Sequence, residues 1–93
     1  MVVHANRTDA RAGQPPRVGF VVSKAVGNAV VRNHTKRVLR ALMRARIGQL
    51  PDGVDVVVKA NPELVGTSRT FMVQDLDRLL ATVIRRISTQ EGQ

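Results

Sequence analysis

Runs and alternations of apolar residues divide the chain into strand-like and helix-like segments. Residues 17–23 are rich in β-branched side chains and are bounded by proline and by a Gly-Asn turn, a pattern typical of a strand. Residues 54–60 form a nearly continuous apolar run, which predicts a second strand that is buried on both faces. Residues 69–87 carry apolar side chains at helical spacing and predict a C-terminal helix. Weaker signals predict a short strand at 2–5, a polar loop at about 6–16 and a frayed polar tail at about 88–93.

The segment 28–47 predicts an amphipathic helix with Asn28 as its N-cap. A rotation of about 100° per residue separates it into two adjoining faces. The apolar face consists of Val31, Thr35, Val38 and Leu42. The basic face consists of Arg32, Asn33, Lys36, Arg37, Arg40 and Arg44. Met43 and Ile47 fall on the basic side of this projection. Val38 would face the core, so Val38→Asp is expected to unfold the domain.

The order strand, helix, strand, helix predicts one α+β domain, an α/β sandwich, over residues 1–93. The basic helix would be the crossover between two parallel strands of a small mixed sheet. A crossover of this kind is right-handed in about 98% of cases.

Positive charge is concentrated in the first half of the chain. The net charge at pH 7 is +8 and the isoelectric point is about 11.7, values that favour a polyanionic partner. No acidic residue lies between Asp9 and Asp52. The charge is therefore a local patch suited to binding.

Several classes of protein are disfavoured by the composition. The chain has no cysteine, so it can form neither a disulfide nor a thiolate metal site. Its apolar runs are too short to span a bilayer, and its first residues lack the features of a signal peptide. We therefore expect a cytoplasmic protein with no membrane partner.

No constellation of catalytic residues is visible. Histidine occurs only as His4 and His34, and no Gly-x-Ser-x-Gly motif is present. Asp75 and Asp77 are two residues apart on a predicted helix and do not share a face, which argues against a paired-carboxylate metal site. We therefore predict no catalytic residue and no metal ligand in this chain.

The basic helix, in contrast, carries residue types that bind RNA. Arginine can hold a phosphate through two hydrogen bonds, and Lys36 adds a compact charge. Asn33 can contact a base edge or a 2′-hydroxyl group. Phe20 either stacks on one base or packs in the core, and the pattern does not separate these two roles.

Residues 20–40 read FVVSKAVGNAVVRNHTKRVLR and closely resemble the signature of the protein subunit of bacterial ribonuclease P. The resemblance covers about residues 1–87. It implies an α/β sandwich whose basic crossover helix is left-handed, an exception to the usual rule. It also implies an accessory subunit of a ribonucleoprotein endonuclease, in which a catalytic RNA uses Mg²⁺ to mature the 5′ end of precursor tRNA. The protein itself would bind no cofactor and would require no protein partner.

The resemblance assigns roles to positions that match the family signature. The implied RNA-binding residues are Lys24, Asn28, Arg32, Asn33, His34, Lys36, Arg37 and Arg40. The implied residues at the cleft for the 5′ leader of precursor tRNA, a cleft that crosses the sheet, are Phe20, Val22 and Lys24. Two positions depart from the signature: Ala25 replaces a lysine and His34 replaces an arginine, and each change removes a positive charge near pH 7.

The family also carries an N-terminal helix with arginines and aromatic residues, and this chain begins inside the first predicted strand. Its start is therefore either truncated or naturally short, and apolar sheet surface is expected to be exposed. Two other functions remain open. One is a general RNA-binding or ribosome-associated module, and the other is a DNA-binding helix, although no helix-turn-helix partner precedes 28–47.

Overall fold

Three strands and two helices make up the described chain, which comprises residues 1–91 of a computed structural model, with 89–91 described as backbone only. The elements in chain order are β1 (Val2–Arg7), β2 (Arg17–Val22), α1 (Ala29–Arg44), β3 (Val54–Ala60) and α2 (Arg69–Glu91), with single 3₁₀ turns in the connections. This confirms the predicted α+β fold. The last turn of α2 lies in the segment predicted as a frayed tail, of which residues 92–93 are outside the described chain.

The strands form a mixed sheet in the order β1-β3-β2. β2 and β3 are parallel, as predicted, and Phe20 lies opposite Val58. β1 runs antiparallel to β3, with Val3 also opposite Val58. β3 is therefore the central strand, and β2 is an edge strand whose outer side no other described strand covers.

The two faces of the sheet differ in burial. Val54, Val56 and Val58 of β3 are almost fully buried on one face, where they pack with residues from both helices. On the other face Val57 is 38% exposed, and no described element covers it. The prediction that β3 is buried on both faces is therefore wrong. Both helices lie on the same side of the sheet, so only alternate residues of β3 reach the core.

Asn28 is the N-cap of α1, as predicted. Its side-chain oxygen accepts a hydrogen bond of 3.0 Å from the backbone N–H of Val31. Gly27 allows the close approach that this requires, because a Cβ atom there would lie 3.0 Å from the Val31 side chain. The amide oxygen of Asn28 is thus used in the helix cap, and its NH₂ group is available to a ligand.

Asn28→Ala is expected to lower the free energy of unfolding by about 1 kcal/mol, because one N–H group at the start of α1 would lose its partner. Asn28→Asp keeps a capping oxygen and should retain most of the stability. Urea unfolding of the three proteins measures the difference. Equal losses in the two variants would show that the cap does not stabilise the helix.

The buried face of α1 differs from the predicted one. Leu39 and Met43 are 0% and 2% exposed and belong to the core, whereas Val38 is only half-buried. The prediction that Met43 lies on the basic side and Val38 on the core side is wrong, since the helix is rotated toward β2. Arg32 and Lys36 lie at the margin of this buried face and are half-buried, as long side chains with apolar stems allow.

α1 ends at Arg44, before the predicted Ile47. Arg46, in the connection that follows, stabilises this end of the helix. Its guanidinium group donates a hydrogen bond of 2.8 Å to the carbonyl oxygen of Leu42 and binds the carboxylate of Asp77 on α2. The hydrogen bond and the charge of Arg46 lower the pKa of Asp77 below its ordinary value of 3.8. The pair therefore links the end of α1 to α2.

A carboxylate with a lowered pKa stabilises the fold above the pKa of the unfolded chain and loses that contribution as the pH falls through the folded value. Asp77→Asn is therefore expected to cost less than about 1 kcal/mol at pH 7, because the side chain is partly exposed. The variant should also lose less stability than the parent protein as the pH falls below about 4. Denaturant unfolding across this range tests both expectations, and Arg46→Gln should reproduce the weaker pH dependence. A parallel loss in parent and variant would contradict them.

Candidate nucleic-acid interface

One side of α1 presents a row of exposed polar and basic side chains. The exposed basic stripe consists of Asn33, Arg37, Arg40 and Arg44. Their spacing places them on one side of a helix. None of the three arginines forms an ion pair with another residue in the described part of the chain. The stripe is therefore free to bind an external anion.

A second group of cations surrounds the first turns of α1. Arg32 and Lys36 line a hollow of about 220 Å³, together with Val22, Ala29 and Asn33. The Nε atom of Arg32 is buried, and no residue in the described chain accepts its hydrogen bond. A buried donor without a partner costs about 1–3 kcal/mol. Separately, the two cations that line the hollow suit a phosphate, because a guanidinium group binds phosphate oxygens well.

Phe20 lies on the helix-covered side of β2, at the edge of the sheet. The guanidinium carbon of Arg40 lies 5.9 Å from the centre of its ring, within the range of a cation–π contact. Both residues line a hollow of about 310 Å³, whose other walls include Met43 and Ile47. Phe20 therefore packs partly against the core and partly against Arg40, and its stacking on a base stays a prediction.

The other two residues predicted at the leader cleft, Val22 and Lys24, lie near Phe20. Val22 is on the same side of β2 as Phe20 and is half-buried. Lys24 is exposed in the 3₁₀ turn that follows β2. The structure thus brings Phe20, Val22 and Lys24 together along the edge of the sheet. Their role at a leader cleft stays a prediction.

The uncovered face of the sheet carries residues that the sequence reasoning did not select. This open sheet face is formed by Val2, His4, Val21, Val57 and Lys59, all of them exposed. Val57 lies opposite both His4 and Gly19, so the surface is continuous across the three strands. The polar residues at alternate positions of β3, Asp55 and Lys59, were the signal that this face is open to solvent.

Two other arginines of the basic half share one carboxylate partner. Arg17 donates two hydrogen bonds of 2.9 Å to the carboxylate of Asp55, and Arg11 approaches the same carboxylate at 3.5 Å. The hydrogen bond from Arg17 is the main cause that lowers the pKa of Asp55. Arg11 and Arg17 therefore contribute less to binding a polyanion than the unpaired arginines of α1.

The residues whose side chains are described contain no group of three histidine, aspartate or glutamate side chains close enough together to bind a metal ion. Neither described helix has the length and apolar character needed to cross a bilayer.

An α+β fold that presents one unpaired basic helix side is typical of a class, the small nucleic-acid-binding modules. A protein-family model described as Ribonuclease P matches residues 1–84. The chain therefore belongs to the ribonuclease P protein family.

Curated relatives agree with this assignment. A ribonuclease P protein component from Beutenbergia cavernae is 51% identical over 83 residues, which are 89% of this chain and 68% of that protein. One from a Nocardioides species is 47% identical over 83 residues, covering 89% of this chain and 71% of that protein. The chain thus spans about two thirds of the length of these relatives.

Solved structures share the fold. A Staphylococcus aureus RNase P protein, described as a mutant with defective mRNA degradation activity, superposes with a TM-score of 0.73 at 25% identity. The match covers 86% of this chain and 65% of that one. An RNase P protein from Thermotoga maritima superposes with a TM-score of 0.63 at 25% identity, covering 90% of this chain and 74% of that one.

Proposed function

We propose that this ribonuclease P protein component binds the catalytic RNA of its enzyme through α1 and assists the 5′ maturation of precursor tRNA. The exposed basic stripe would contact successive phosphates of the RNA. The hollow at Arg32 and Lys36 would hold one further phosphate. Lys24, Asn28 and His34 would add contacts at the margins of this surface. The observation that carries the proposal is the row of unpaired arginines on α1.

Electrostatics supports an RNA phosphate as the ligand. Arginine matches phosphate geometry with two parallel hydrogen bonds, and several such contacts release counterions from the RNA. Arg32 and Lys36 line the same hollow, so two cations are close to one possible phosphate position. Binding to the RNA should therefore weaken steeply as salt is added.

The 5′ leader of precursor tRNA belongs, in this proposal, along the edge of β2. Phe20, Val22 and Lys24 lie there, and the open sheet face begins on the other side of the same strand. Lys24 can pair with a leader phosphate, and Phe20 gives an apolar wall. Single-stranded RNA is commonly bound by such a combination of cations and aromatic surface.

The bond-breaking chemistry belongs to the RNA in this proposal. The described residues do not offer a set of ligands that fits Mg²⁺, which prefers several oxygen ligands in octahedral geometry. The Mg²⁺ that the enzyme requires would therefore be bound by the RNA subunit. The protein would act in the cytoplasm, where tRNA precursors are made.

A cleavage assay tests this function directly. Catalytic RNA and precursor tRNA are incubated at low Mg²⁺ with and without the protein, and the rate of 5′ cleavage is measured. We expect the protein to raise the rate, because its cations screen the repulsion between the two RNAs. A well-folded protein that leaves cleavage unchanged would contradict the proposal.

The alternative is a general RNA-binding or ribosome-associated module with no role in cleavage. It predicts equal affinity for tRNA with and without a 5′ leader. The proposed function predicts tighter binding of the precursor that carries the leader. Filter binding of the two RNAs at matched salt separates these outcomes.

A further inference from the structure

A hollow lies between α1 and the segment that leads into α2, on the side of α1 that faces away from β2. Its apolar walls include Val31, Val38, Leu64 and Met72, and its volume is about 230 Å³. Pockets for drug-sized ligands typically measure about 300–1,000 Å³. This one suits a single planar ring system such as one nucleobase.

Two threonines line the hollow, and each already donates its hydroxyl proton to a backbone carbonyl oxygen. The Thr35 hydroxyl donates to the carbonyl oxygen of Val31 at 2.9 Å, and the Thr67 hydroxyl donates to that of Leu64 at 2.7 Å. A hydroxyl group has only one proton to donate, so both can offer a ligand only their oxygen lone pairs. The hollow therefore favours a ligand that brings N–H donors.

His34 connects the hollow to the basic side of α1. It lines this hollow and also a neighbouring one that it shares with Val30, Asn33 and Arg37. Arg69 lies at the other margin of the first hollow and is exposed. When the phosphates of an RNA strand contact Arg37, one of its bases can therefore enter the hollow beside His34.

The last wall is a tight turn. Gly66 has φ +87°, a conformation that L side chains rarely adopt, and no atom would lie within 4 Å of a Cβ atom there. The glycine therefore permits the tight turn that forms this wall of the hollow.

We infer that this hollow binds one unpaired adenine or cytosine from the RNA that α1 contacts, since these bases carry an amino group where guanine and uracil carry a carbonyl oxygen. The inference rests on the proposed function in that α1 must lie against RNA. The amino group donates toward the oxygens of Thr35 and Thr67, and the apolar walls hold the ring. Uracil presents carbonyl oxygens where cytosine presents an amino group and fits these acceptors less well.

Oligo(C) and oligo(U) RNAs of equal length test the base preference, because their bases have the same size. We expect oligo(C) to bind about three- to ten-fold more tightly at matched salt, the gain of one or two hydrogen bonds. The double variant Thr35→Val and Thr67→Val should abolish this preference without changing the affinity for oligo(U). Thr82→Val is the matched control, because its hydroxyl donates to the Arg78 carbonyl oxygen at 3.0 Å, as that of Thr35 does to Val31.

Backbone amide shifts of the ¹⁵N-labelled parent protein give a test that does not depend on variants. Oligo(C) should shift the amides of 64–69 together with those of the exposed basic stripe. Shifts confined to the stripe, or equal affinity for both RNAs, would overturn the inference while leaving RNA binding by α1 intact. Failure of the cleavage assay with this base preference retained would instead count against the proposed function.

Dimethyl sulfate, which modifies the pairing edges of unpaired adenine and cytosine, distinguishes the two sources of the base. The catalytic RNA and the precursor tRNA are each probed separately in complex with the parent protein and with the double threonine variant. We expect one amino-bearing base, in one of the two RNAs, to be protected only by the parent protein. Identical protection by parent and variant in both RNAs would overturn the inference.

Discussion

Leu39→Ala is expected to lower the free energy of unfolding by about 3 kcal/mol or more, the largest effect that we expect from a single substitution in α1. Leu39 is 0% exposed and packs in the core between the sheet and α2. Its truncation leaves a cavity that the surrounding strands and helices cannot fill. A domain of this size has a total stability of only about 5–15 kcal/mol, so the loss is a large fraction of it.

Val38→Ala is the matched control for this experiment. Val38 is the preceding residue of the same helix and is only half-buried, so its truncation should cost about 1 kcal/mol. Urea unfolding of both variants gives the two values. A larger loss for Val38→Ala than for Leu39→Ala would mean that α1 is rotated as the sequence predicted and not as the structure shows.

Replacing Arg37, Arg40 and Arg44 together by glutamine is expected to weaken binding to the catalytic RNA strongly and to make it less dependent on salt. The slope of log K against log salt should fall in magnitude by about 2–3, since each lost phosphate contact contributes about 0.7–0.9. Binding is measured between low and physiological salt by filter retention. Stability should change little, because all three side chains are exposed.

A second triple variant separates a specific surface from general charge. Arg78, Arg85 and Arg86 of α2 are exposed and carry the same total charge, so their replacement by glutamine changes the net charge equally. We expect a smaller fall in the salt slope for this variant. Equal effects of the two triple variants would show that net charge, and not the exposed basic stripe, determines RNA binding.

Most of the fold was predictable because local signals and tertiary packing agree. The β-branched composition of β2, the cap at Asn28 and the periodicity of α2 each identified an element that the structure confirms. The rotation of α1 was not predictable from its own sequence. Apolar residues occupy a wide arc of the helix, and β2 and α2 together decide which part of that arc is buried. That is why Met43 is in the core and Val38 lines a hollow.

The candidate site was predictable as a set of residue types but not as a geometry. The sequence identified the cations of α1, yet it could not separate exposed Arg37 and Arg40 from half-buried Arg32 and Lys36. That distinction depends on how far the helix is turned toward the sheet. The position of Phe20 depends on the same packing, because its ring meets Arg40 only when α1 lies against β2. The base-sized hollow also depends on the approach of α2 to α1.

The central position of β3 has a consequence for how the chain folds. β1 and β2 both precede β3 in the sequence, and neither pairs with the other. The two earlier strands therefore find no partner until the ribosome has released β3, and every strand pair must close a long loop. During synthesis α1 can form early from local contacts, while the sheet must wait. We expect the nascent chain to carry its basic helix before it has a core to hold that helix in place.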